Sequence, residues 1–299
     1  MKSTELYNKI KSDFESRIHF LADKPEETIE STIKACWHAA SGVPLSAEEA
    51  IRHPLSELTE KQKANLNEFL EQRLNNKPLA YITGRQNFMG IELLADERAL
   101  IPRKETEILG KNALQLSLEF TEKQEEVRVM DICCGSGNLG LAIACFNKKA
   151  FVFAADLSKQ AVELARENIA FLGLNQRVEA SQGDLFSSLE SDEHFEKTDL
   201  IICNPPYISS AKVKKMDTEI SEHEPVLAFD GGMFGTRIIS KLIGEAPKFL
   251  KKGGWVIFEV GLGQGEFITR LCEGSNKFEK IESIEDDLGK IRVISAQKV

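Results

Sequence analysis

Apolar residues recur every three or four positions through the first part of the chain, which is the period of an amphipathic helix. From residue 4 to about residue 74 this pattern predicts a small helical domain. Individual helices are predicted over 28–40, which Gly42 ends, and over 59–74, before Pro78.

A hairpin is predicted directly after this helical region, where the apolar pattern shortens. Its strands would cover 86–94 and 98–101, with the reversal at Ala95-Asp96-Glu97. We therefore assign residues 1–83 to a helical recognition domain and 84–104 to a linking hairpin.

Beyond residue 104 the pattern alternates between short apolar runs, typical of buried strands, and helical periods. This alternation predicts a doubly wound, mostly parallel sheet in one domain over 105–299. The predicted strands are 127–132, 151–155, 178–181, 200–203, 254–260, 278–284 and 291–296. The predicted helices are 105–120, 138–146, 159–171, 236–250 and 264–272.

Composition narrows the class of protein. A chain of 299 residues that is 42% apolar can bury the cores of two domains. It has no apolar run of membrane-spanning length and opens on a polar segment, so we expect a cytoplasmic protein without a signal peptide. The six cysteines form no C-x-x-C pair and do not cluster with histidines, which predicts reduced thiols and no metal site.

The net charge of −9 argues against a protein whose affinity comes mainly from gripping nucleic-acid phosphates. Residues 1–80 hold 11 basic and 13 acidic side chains, so the predicted recognition domain is not basic either. We therefore expect no direct binding to nucleic acid and no binding to membranes.

A glycine-rich turn follows the first strand of the predicted sheet. Gly135, Gly137 and Gly140 satisfy G-x-G-x-x-G, and Asp156 ends the next strand at the distance expected of a ribose-binding carboxylate. The same arrangement can hold a dinucleotide or the adenosine of S-adenosylmethionine, and a tight turn without a ligand has the same pattern. The glycines alone do not choose among these.

The stretch Gly183-Asp184-Leu185-Phe186 follows the third strand. Asp184 could accept a hydrogen bond from an adenine amino group while Leu185 covers the ring. Taken alone, the stretch favours a helix N-cap instead.

The most specific stretch is Asn204-Pro205-Pro206-Tyr207, which follows a buried strand. Two prolines deny the chain further ladder donors, so it must turn out of the sheet at the edge where ligands bind. Asn204 and the Pro205 carbonyl could accept both hydrogens of a planar NH2 group while Tyr207 packs on its face. This arrangement would raise electron density on the nitrogen and aim its lone pair at a sulfonium methyl, without a metal or a strong base.

Together these residues resemble the glutamine-N5 methyltransferases of class 1 peptide-chain release factors, often called HemK or PrmC. The similarity runs from about residue 78 to residue 296. Its motifs are Pro78-Leu79-Ala80-Tyr81-Ile82-Thr83-Gly84, Ile101-Pro102-Arg103-Lys104-Glu105-Thr106-Glu107, Gly183-Asp184-Leu185-Phe186, Asn204-Pro205-Pro206-Tyr207-Ile208, Glu224-Pro225, Gly231-Gly232, Glu259-Val260-Gly261, Gln264-Gly265 and Asp287-Leu288-Gly289-Lys290.

The resemblance implies an α/β fold, that of the class I S-adenosylmethionine-dependent methyltransferases. This is a Rossmann-like, seven-stranded, mostly parallel sheet with a small N-terminal helical domain and a linking β-hairpin. It implies that the N-terminal domain recognises the release factor. The second domain would methylate the glutamine of a Gly-Gly-Gln loop and release S-adenosylhomocysteine. We expect the protein to act as a monomer.

The resemblance also implies site roles at the matching positions. Asn204, Pro205, Pro206 and Tyr207 would hold the substrate amide, and Asn204, Pro205 and Tyr207 would carry the catalysis. The implied cofactor set is Gly135 and Gly137 beside the methionine part, Asp156 at the ribose, Asp184 and Leu185 at the adenine, and in addition Asp131, Cys133, Asn204, and Arg103 and Glu105 at the hairpin end.

The chain departs from the family pattern at three places, of which the first concerns the cofactor and the other two concern the substrate rather than the reaction. Cys133 replaces a usual Gly; a small residue would be tolerated with a negative φ, and on that basis we expect cofactor binding to survive. Lys104 replaces a usual Pro, and Met233-Phe234-Gly235-Thr236-Arg237 replaces a usual acidic Asp-Gly-Leu type of sequence. A paralogue acting on another amide would fit these changes.

Three other functions compete with glutamine methylation. A methyltransferase acting on the amino group of adenine, cytosine or guanine faces the same chemistry, but the acidic charge disfavours it. A nicotinamide-dependent oxidoreductase would use G-x-G-x-x-G and leave the stretch at Asn204 unexplained. A degenerate fold acting only as a scaffold would follow if Cys133 abolished cofactor binding.

Overall fold

The structure, a computed structural model, describes residues 3–299 and divides into two units. The N-terminal unit runs to Glu97 and also contains Ile101–Lys104 and Asp217–Glu224. The C-terminal unit contains Arg98–Leu100, Glu105–Met216 and Pro225–Val299. The chain therefore leaves the C-terminal unit for eight residues and returns to it, which the sequence pattern did not indicate.

The N-terminal unit is helical, as predicted. Its helices are α1 (Ser3–Phe14), α2 (Ile29–Ser41), α3 (Ala47–Arg52), α4 (Glu60–Leu74) and α5 (Leu79–Thr83), together with α10 (Thr218–Ser221) from the later segment. Thr28 and Thr59 begin α2 and α4 with capping boxes, in which the threonine side chain accepts from the third helical N–H. The apolar faces of α1 to α5 pack around the fully buried Trp37.

A hairpin is present here, within the N-terminal unit, but the predicted reversal at residues 95–97 was wrong. Strand β1 (Arg85–Phe88) pairs antiparallel with β2 (Ile91–Leu94), and residues 98–101 are not in a strand. The chain reverses at Met89 and Gly90, which have φ values of 51° and 87°. Two successive positive φ values match the right-handed strand twist in two-residue turns, and a methionine gives no sequence signal for the first of them.

The C-terminal unit is built on a seven-stranded sheet in the order β5-β4-β3-β6-β7-β9-β8. All neighbouring strands are parallel except β9, which runs antiparallel to both of its neighbours. The strands are β3 (Val127–Ile132), β4 (Ala150–Asp156), β5 (Val178–Gln182), β6 (Thr198–Cys203), β7 (Leu250–Glu259), β8 (Phe278–Glu285) and β9 (Ile291–Lys298).

Helices flank this sheet much as the periodicity predicted. They are α6 (Thr106–Thr121), α7 (Asn138–Phe146), α8 (Lys159–Phe171), α9 (Ser210–Val213), α11 (Arg237–Glu245) and α12 (Gly265–Gly274). The strand order reverses between β3 and β6, so the carboxyl ends of β4, β3 and β6 meet at one edge, the usual ligand edge of such sheets.

The helix predicted over 236–250 was too long. Helix α11 ends at Glu245, a 3-10 turn covers Ala246–Lys248, and β7 already begins at Leu250. Pro247 lacks the N–H that an α-helix needs, and Leu250 instead pairs with Thr198 of β6. Within residues 3–299, no helix combines the length and the apolar character needed to cross a membrane.

Candidate active site

The turn after β3 presents backbone N–H groups to the carboxyl edge of the sheet. Cys133 has a φ of 59°, so the expectation of a negative φ was wrong, and this position uses the left-handed conformation that glycine adopts freely. Gly135 and Gly137 follow with φ values of 55° and 86°, and α7 begins directly after them. The turn therefore keeps its glycine-like backbone with a cysteine at its first position.

Asp156, at the end of β4, holds this turn in place. Its Oδ2 accepts from the N–H of Gly135 at 2.9 Å, and its Oδ1 accepts from the N–H of Ser158 at 2.8 Å. Burial raises the pKa of Asp156, and these two N–H groups lower it in part. Each carboxylate oxygen can still accept one further hydrogen bond.

Asp131 lies one residue before the end of β3 and is fully buried. Its Oδ2 accepts from the N–H of Gly140 at 2.9 Å, and its Oδ1 has no hydrogen-bond partner within residues 3–299. A Cβ at Gly140 would lie 2.9 Å from Asp131 Oδ2, which explains the third glycine of the turn. Burial raises the pKa of Asp131 to about 7.

Asp184 and Leu185 follow β5 and turn in different directions. Asp184 is exposed and pairs with Lys241 of α11 at 2.7 Å, whereas Leu185 is 4% exposed within the apolar core. The helix N-cap that the stretch alone favoured is wrong, because the following 3-10 helix (Ser187–Leu189) has Phe186 as its N-cap residue and no side-chain cap. The N–H of Gly183 donates to the Asp156 carbonyl, which places this turn beside β4.

Asn204 is half-buried at the end of β6, next to β3. Its Nδ2 donates to the hydroxyl oxygen of Thr106 at 3.1 Å. Thr106 is the first residue of α6, a helix that packs against β6. The donor end of the Asn204 amide is therefore occupied, and its acceptor, Oδ1, is left for another group.

Tyr207 is held by a buried carboxylate. Its hydroxyl donates to Glu259 Oε1 at 2.8 Å, and Glu259 also lies 3.6 Å from the guanidinium of Arg292. Arg292 in turn pairs with Glu105 at 2.6 Å. Burial, followed by the charge of Glu259, raises the pKa of Tyr207 well above its ordinary value, so the phenol stays neutral. Tyr207 can shape the site but cannot serve as a base.

The loop after residue 230 packs on the backbone of the Asn204–Tyr207 turn. A Cβ at Gly231 would lie 2.5 Å from the Pro206 carbonyl oxygen, and one at Gly235 would overlap the Tyr207 carbonyl. Gln264 joins the two segments, because its Nε2 donates to the Tyr207 carbonyl at 2.9 Å and lies 3.4 Å from the carbonyls of Phe234 and Gly235.

Two of the departures from the family pattern occupy different settings. In the C-terminal unit, Met233 and Phe234 of this loop are 78% and 77% exposed. In the N-terminal unit, Lys104 pairs with Glu48. Arg103, which the resemblance assigned to the cofactor, also lies in the N-terminal unit and pairs with Glu224 and Asp23.

Sequence reasoning missed three polar residues that support the Asn204–Tyr207 turn: Thr106, Glu259 and Gln264. All three lie within motifs that carried the resemblance, and membership of these motifs was the available signal. Their partners lie 98, 52 and 57 residues away along the chain, which no local pattern reveals.

The residues at this edge fit S-adenosylmethionine. Its ribose presents hydroxyl donors and its sulfonium is a cation, and both suit carboxylates. Asp156 keeps free acceptor capacity, Asp131 Oδ1 is buried without a partner in residues 3–299, and a Cβ at Gly135 would meet nothing within 4 Å. No three His, Cys, Asp or Glu side chains of the described chain are grouped so that they could hold a metal ion.

Comparison with known proteins agrees with the sequence resemblance. Residues 111–234 match the family model described as the methyltransferase small domain, and residues 18–84 match the PrmC N-terminal domain. A release factor glutamine methyltransferase from Bacillus cereus is 33% identical over 241 residues, which cover 81% of this chain and 83% of the relative. One from Caulobacter vibrioides is also 33% identical, over 84% of this chain and 83% of the relative.

Among solved structures, a 16S rRNA methyltransferase from T. thermophilus in complex with AdoMet and guanosine has a TM-score of 0.50 and 18% identity. The match covers 72% of this chain and 50% of that one, and it is a likeness of fold. The predicted class I methyltransferase fold is confirmed by these matches and by the strand order. The chain belongs to the release factor glutamine methyltransferase family.

Proposed function

We propose that this chain transfers the methyl group of S-adenosylmethionine to the side-chain amide nitrogen of a glutamine, in the Gly-Gly-Gln loop of class 1 peptide chain release factors. The observation that carries this proposal is the Asn204 amide, whose donor end is bonded to Thr106 at 3.1 Å. Its acceptor end, together with the adjacent Pro205 carbonyl, suits the two hydrogens of a planar NH2 group. Membership of the family supports the same reaction.

An amide nitrogen is a poor nucleophile because its lone pair is delocalised into the carbonyl. Two acceptors aligned on its hydrogens favour a pyramidal nitrogen and place negative charge near the hydrogens as they become more acidic. When bound, S-adenosylmethionine supplies the methyl group as an electrophile and is released as S-adenosylhomocysteine. Asn204 and Pro205 thus act by position and electrostatics, and the nitrogen gives its proton to solvent after transfer.

The remaining site residues have supporting roles in this proposal. Asp156 would accept from the ribose hydroxyls, and Gly135 and Gly137 would let the backbone approach the methionine part. The carboxyl of Asp131 would lie near the sulfonium, and the turn at Asp184 and Leu185, which lies beside β4, would lie near the adenine. Tyr207, whose hydroxyl is bonded to Glu259, would offer its ring to the flat face of the amide.

The N-terminal unit contains the segment that matches the PrmC N-terminal domain, and we propose that it recognises the release factor. The departure at Met233–Arg237 then concerns which glutamine loop is accepted. The chemistry at Asn204 does not depend on that departure.

The test is mass spectrometry of a class 1 release factor incubated with this chain and S-adenosylmethionine. The expected result is a gain of one methyl on the glutamine of the Gly-Gly-Gln loop, and no gain on a release factor whose glutamine is replaced by glutamate. Labelled methyl appearing on RNA or DNA, with none on the release factor, would overturn the proposal. Calorimetry that detects binding of NAD but not of S-adenosylmethionine would also overturn it.

A further inference from the structure

The two ends of the Asn204 amide have nearly the same shape, yet only one suits the proposed reaction. With Oδ1 toward the substrate, the amide accepts a hydrogen from the glutamine NH2. With Nδ2 toward it, the amide would present a donor to a donor. Something in the protein must therefore fix the orientation of this amide.

Thr106 is in place to do so. Its hydroxyl oxygen accepts from Asn204 Nδ2 at 3.1 Å, and the residue is 2% exposed. This hydroxyl is not needed to begin α6, since the N-cap residue is Glu105 and no side chain caps that helix. The contact with Asn204 joins a helix to a strand end 98 residues later in the chain.

The Thr106 hydroxyl also lies close enough to the Glu259 carboxyl to lower its pKa. The Glu259 carboxyl is 2% exposed; its burial raises its pKa, and the neighbouring Thr106 and Tyr207 hydroxyls lower it in part. Glu259 Oε1 accepts a hydrogen bond from the Tyr207 hydroxyl at 2.8 Å. The other oxygen, Oε2, is buried and has no hydrogen-bond partner within residues 3–299. A threonine hydroxyl has one hydrogen, and an adjacent buried carboxylate attracts it.

With its hydrogen turned toward Glu259, the Thr106 oxygen accepts from Asn204, which is the direction of the 3.1 Å hydrogen bond from Asn204 Nδ2. The end of the amide that faces Thr106 must then be NH2, and the other end must be the carbonyl oxygen. The hydrogen bond to Thr106 therefore sets the orientation of the Asn204 amide.

We propose that Thr106 is a positioning residue for methyl transfer: it holds the Asn204 amide with Oδ1 available to the substrate NH2 group. This inference rests on the proposed function, because it concerns the same amide. Thr106 touches neither the methyl group nor the substrate in this scheme and acts through Asn204.

The test compares Thr106→Val, which keeps the shape and loses the hydroxyl, with Thr106→Ser, which keeps the hydroxyl. Thr106→Val should lower kcat on the release factor about 10- to 100-fold, the effect of a misplaced reacting group. Its affinity for S-adenosylmethionine should be unchanged, and Thr106→Ser should restore kcat to within about threefold of wild type. Thr106→Ala gives a second hydroxyl-free variant if the valine variant loses stability.

A double-mutant cycle with Asn204→Ala separates positioning from a structural role. If Thr106 acts through Asn204, the double variant should be no slower than Asn204→Ala alone. An equal loss from Thr106→Val in both backgrounds would overturn the positioning role, as would a wild-type kcat in Thr106→Val. A wild-type chain that transfers no methyl would overturn the proposed function and this inference with it, so the two failures are distinguishable in one assay.

Discussion

The N-terminal unit and the sheet edge of the C-terminal unit both contain carboxylates removed from solvent, and the partners of these carboxylates differ. In the N-terminal unit, Glu219 lies between two cations, with Lys24 Nζ at 2.6 Å and Arg73 at 2.9 Å. Arg73 extends the cluster to Glu27 at 2.9 Å. All four residues are at most 8% exposed, so each of these buried carboxylates has a cation within hydrogen-bond distance.

The same pattern continues at the end of the inserted segment. Glu224 pairs with Arg103 at 2.5 Å and accepts from the N–H of Ile101, while Arg103 also pairs with Asp23 at 3.0 Å. Burial lowers the pKa of Arg103, but the charges of Glu224 and Asp23 raise it by a larger amount, so the pKa is raised overall. The segment Asp217–Glu224 is thus joined to the N-terminal unit by charge.

At the sheet edge of the C-terminal unit, Asp131 and Asp156 have backbone N–H groups as partners, and the pKa of each is raised by burial. Neutral donors stabilise a carboxylate less than a cation does, and these two groups keep unused acceptor capacity. In the structural cluster the carboxylates are paired with cations of the protein. At the sheet edge the carboxylates have only neutral donors and can still bind a cationic, hydroxyl-bearing ligand.

The largest predicted effect follows from removing the buried ion pairs of the N-terminal unit. Glu219→Ala leaves Lys24 and Arg73 buried without their shared carboxylate, and it should cost about 3 to 5 kcal/mol of stability in the N-terminal unit. Glu222→Ala is a matched control, because Glu222 is exposed on the same segment. It should change stability by less than about 0.5 kcal/mol.

Urea unfolding followed by Trp37 fluorescence measures this difference. The chain has two tryptophans, and a Trp255→Phe background leaves Trp37, which is buried in the N-terminal unit, as the reporter. Equal midpoints for Glu219→Ala and Glu222→Ala would show that the cluster does not stabilise the unit.

The second prediction concerns pH and tests the neutral-donor side. Burial raises the pKa of Asp131 from 3.8 to about 7, so the folded chain keeps a proton that the unfolded chain loses. Stability from this group is full below pH 3.8 and falls as pH rises toward 7. Asp131→Asn removes the titration and keeps an acceptor for the Gly140 N–H.

Relative to wild type, Asp131→Asn should therefore gain roughly 2 to 3 kcal/mol between pH 5 and pH 8, at about 1.4 kcal/mol per pKa unit. Guanidinium unfolding of both proteins at the two pH values measures the gain. Because all other titrating groups are shared, their contribution cancels in the difference. Parallel stability curves would mean that Asp131 titrates normally in the folded chain.

The third prediction asks whether the capacity left on Asp156 is used. Asp156→Ala should weaken S-adenosylmethionine binding by about 1 to 3 kcal/mol, the range of a charge-assisted hydrogen bond, and Asp156→Asn should lie between the alanine variant and wild type. Calorimetric titration gives the three dissociation constants. An alanine variant that binds as tightly as wild type would remove Asp156 from the site.

Sequence predicted the buried strands and the capped helices well, because their signals are local. The run at 200–203 is apolar throughout, the run at 127–132 is apolar except at Arg128 and Asp131, and Thr28 and Thr59 occupy the positions of capping residues. Asn204 and Asp156 were found for a similar reason: each ends a buried strand, and topology brings such ends together.

The parts that sequence missed depend on distant contacts or on backbone energetics. The hydrogen bond between Thr106 and Asn204 depends on how α6 packs against β6. The two cations that bind Glu219 lie 195 and 146 residues away along the chain. The φ angles of Met89 and Cys133 are positive, although both residue types favour negative values, because tertiary contacts outweigh a local preference of about 1 to 2 kcal/mol.

The smallest predicted effect concerns the energetic cost of the positive φ at Cys133. Cys133 adopts a φ of 59° in the turn whose next N–H groups include Gly135, the partner of Asp156. Cys133→Gly and Cys133→Ala both remove the thiol, but only glycine removes the strain, at the cost of a more flexible unfolded chain. The glycine variant should be more stable than the alanine variant by about 0.5 to 1 kcal/mol, and both should bind S-adenosylmethionine like wild type. Paired thermal unfolding and calorimetry measure the two effects. An alanine variant as stable as the glycine variant would show that the turn stores no strain at this position, and the carboxylate of Asp156 would then be sufficient to hold it.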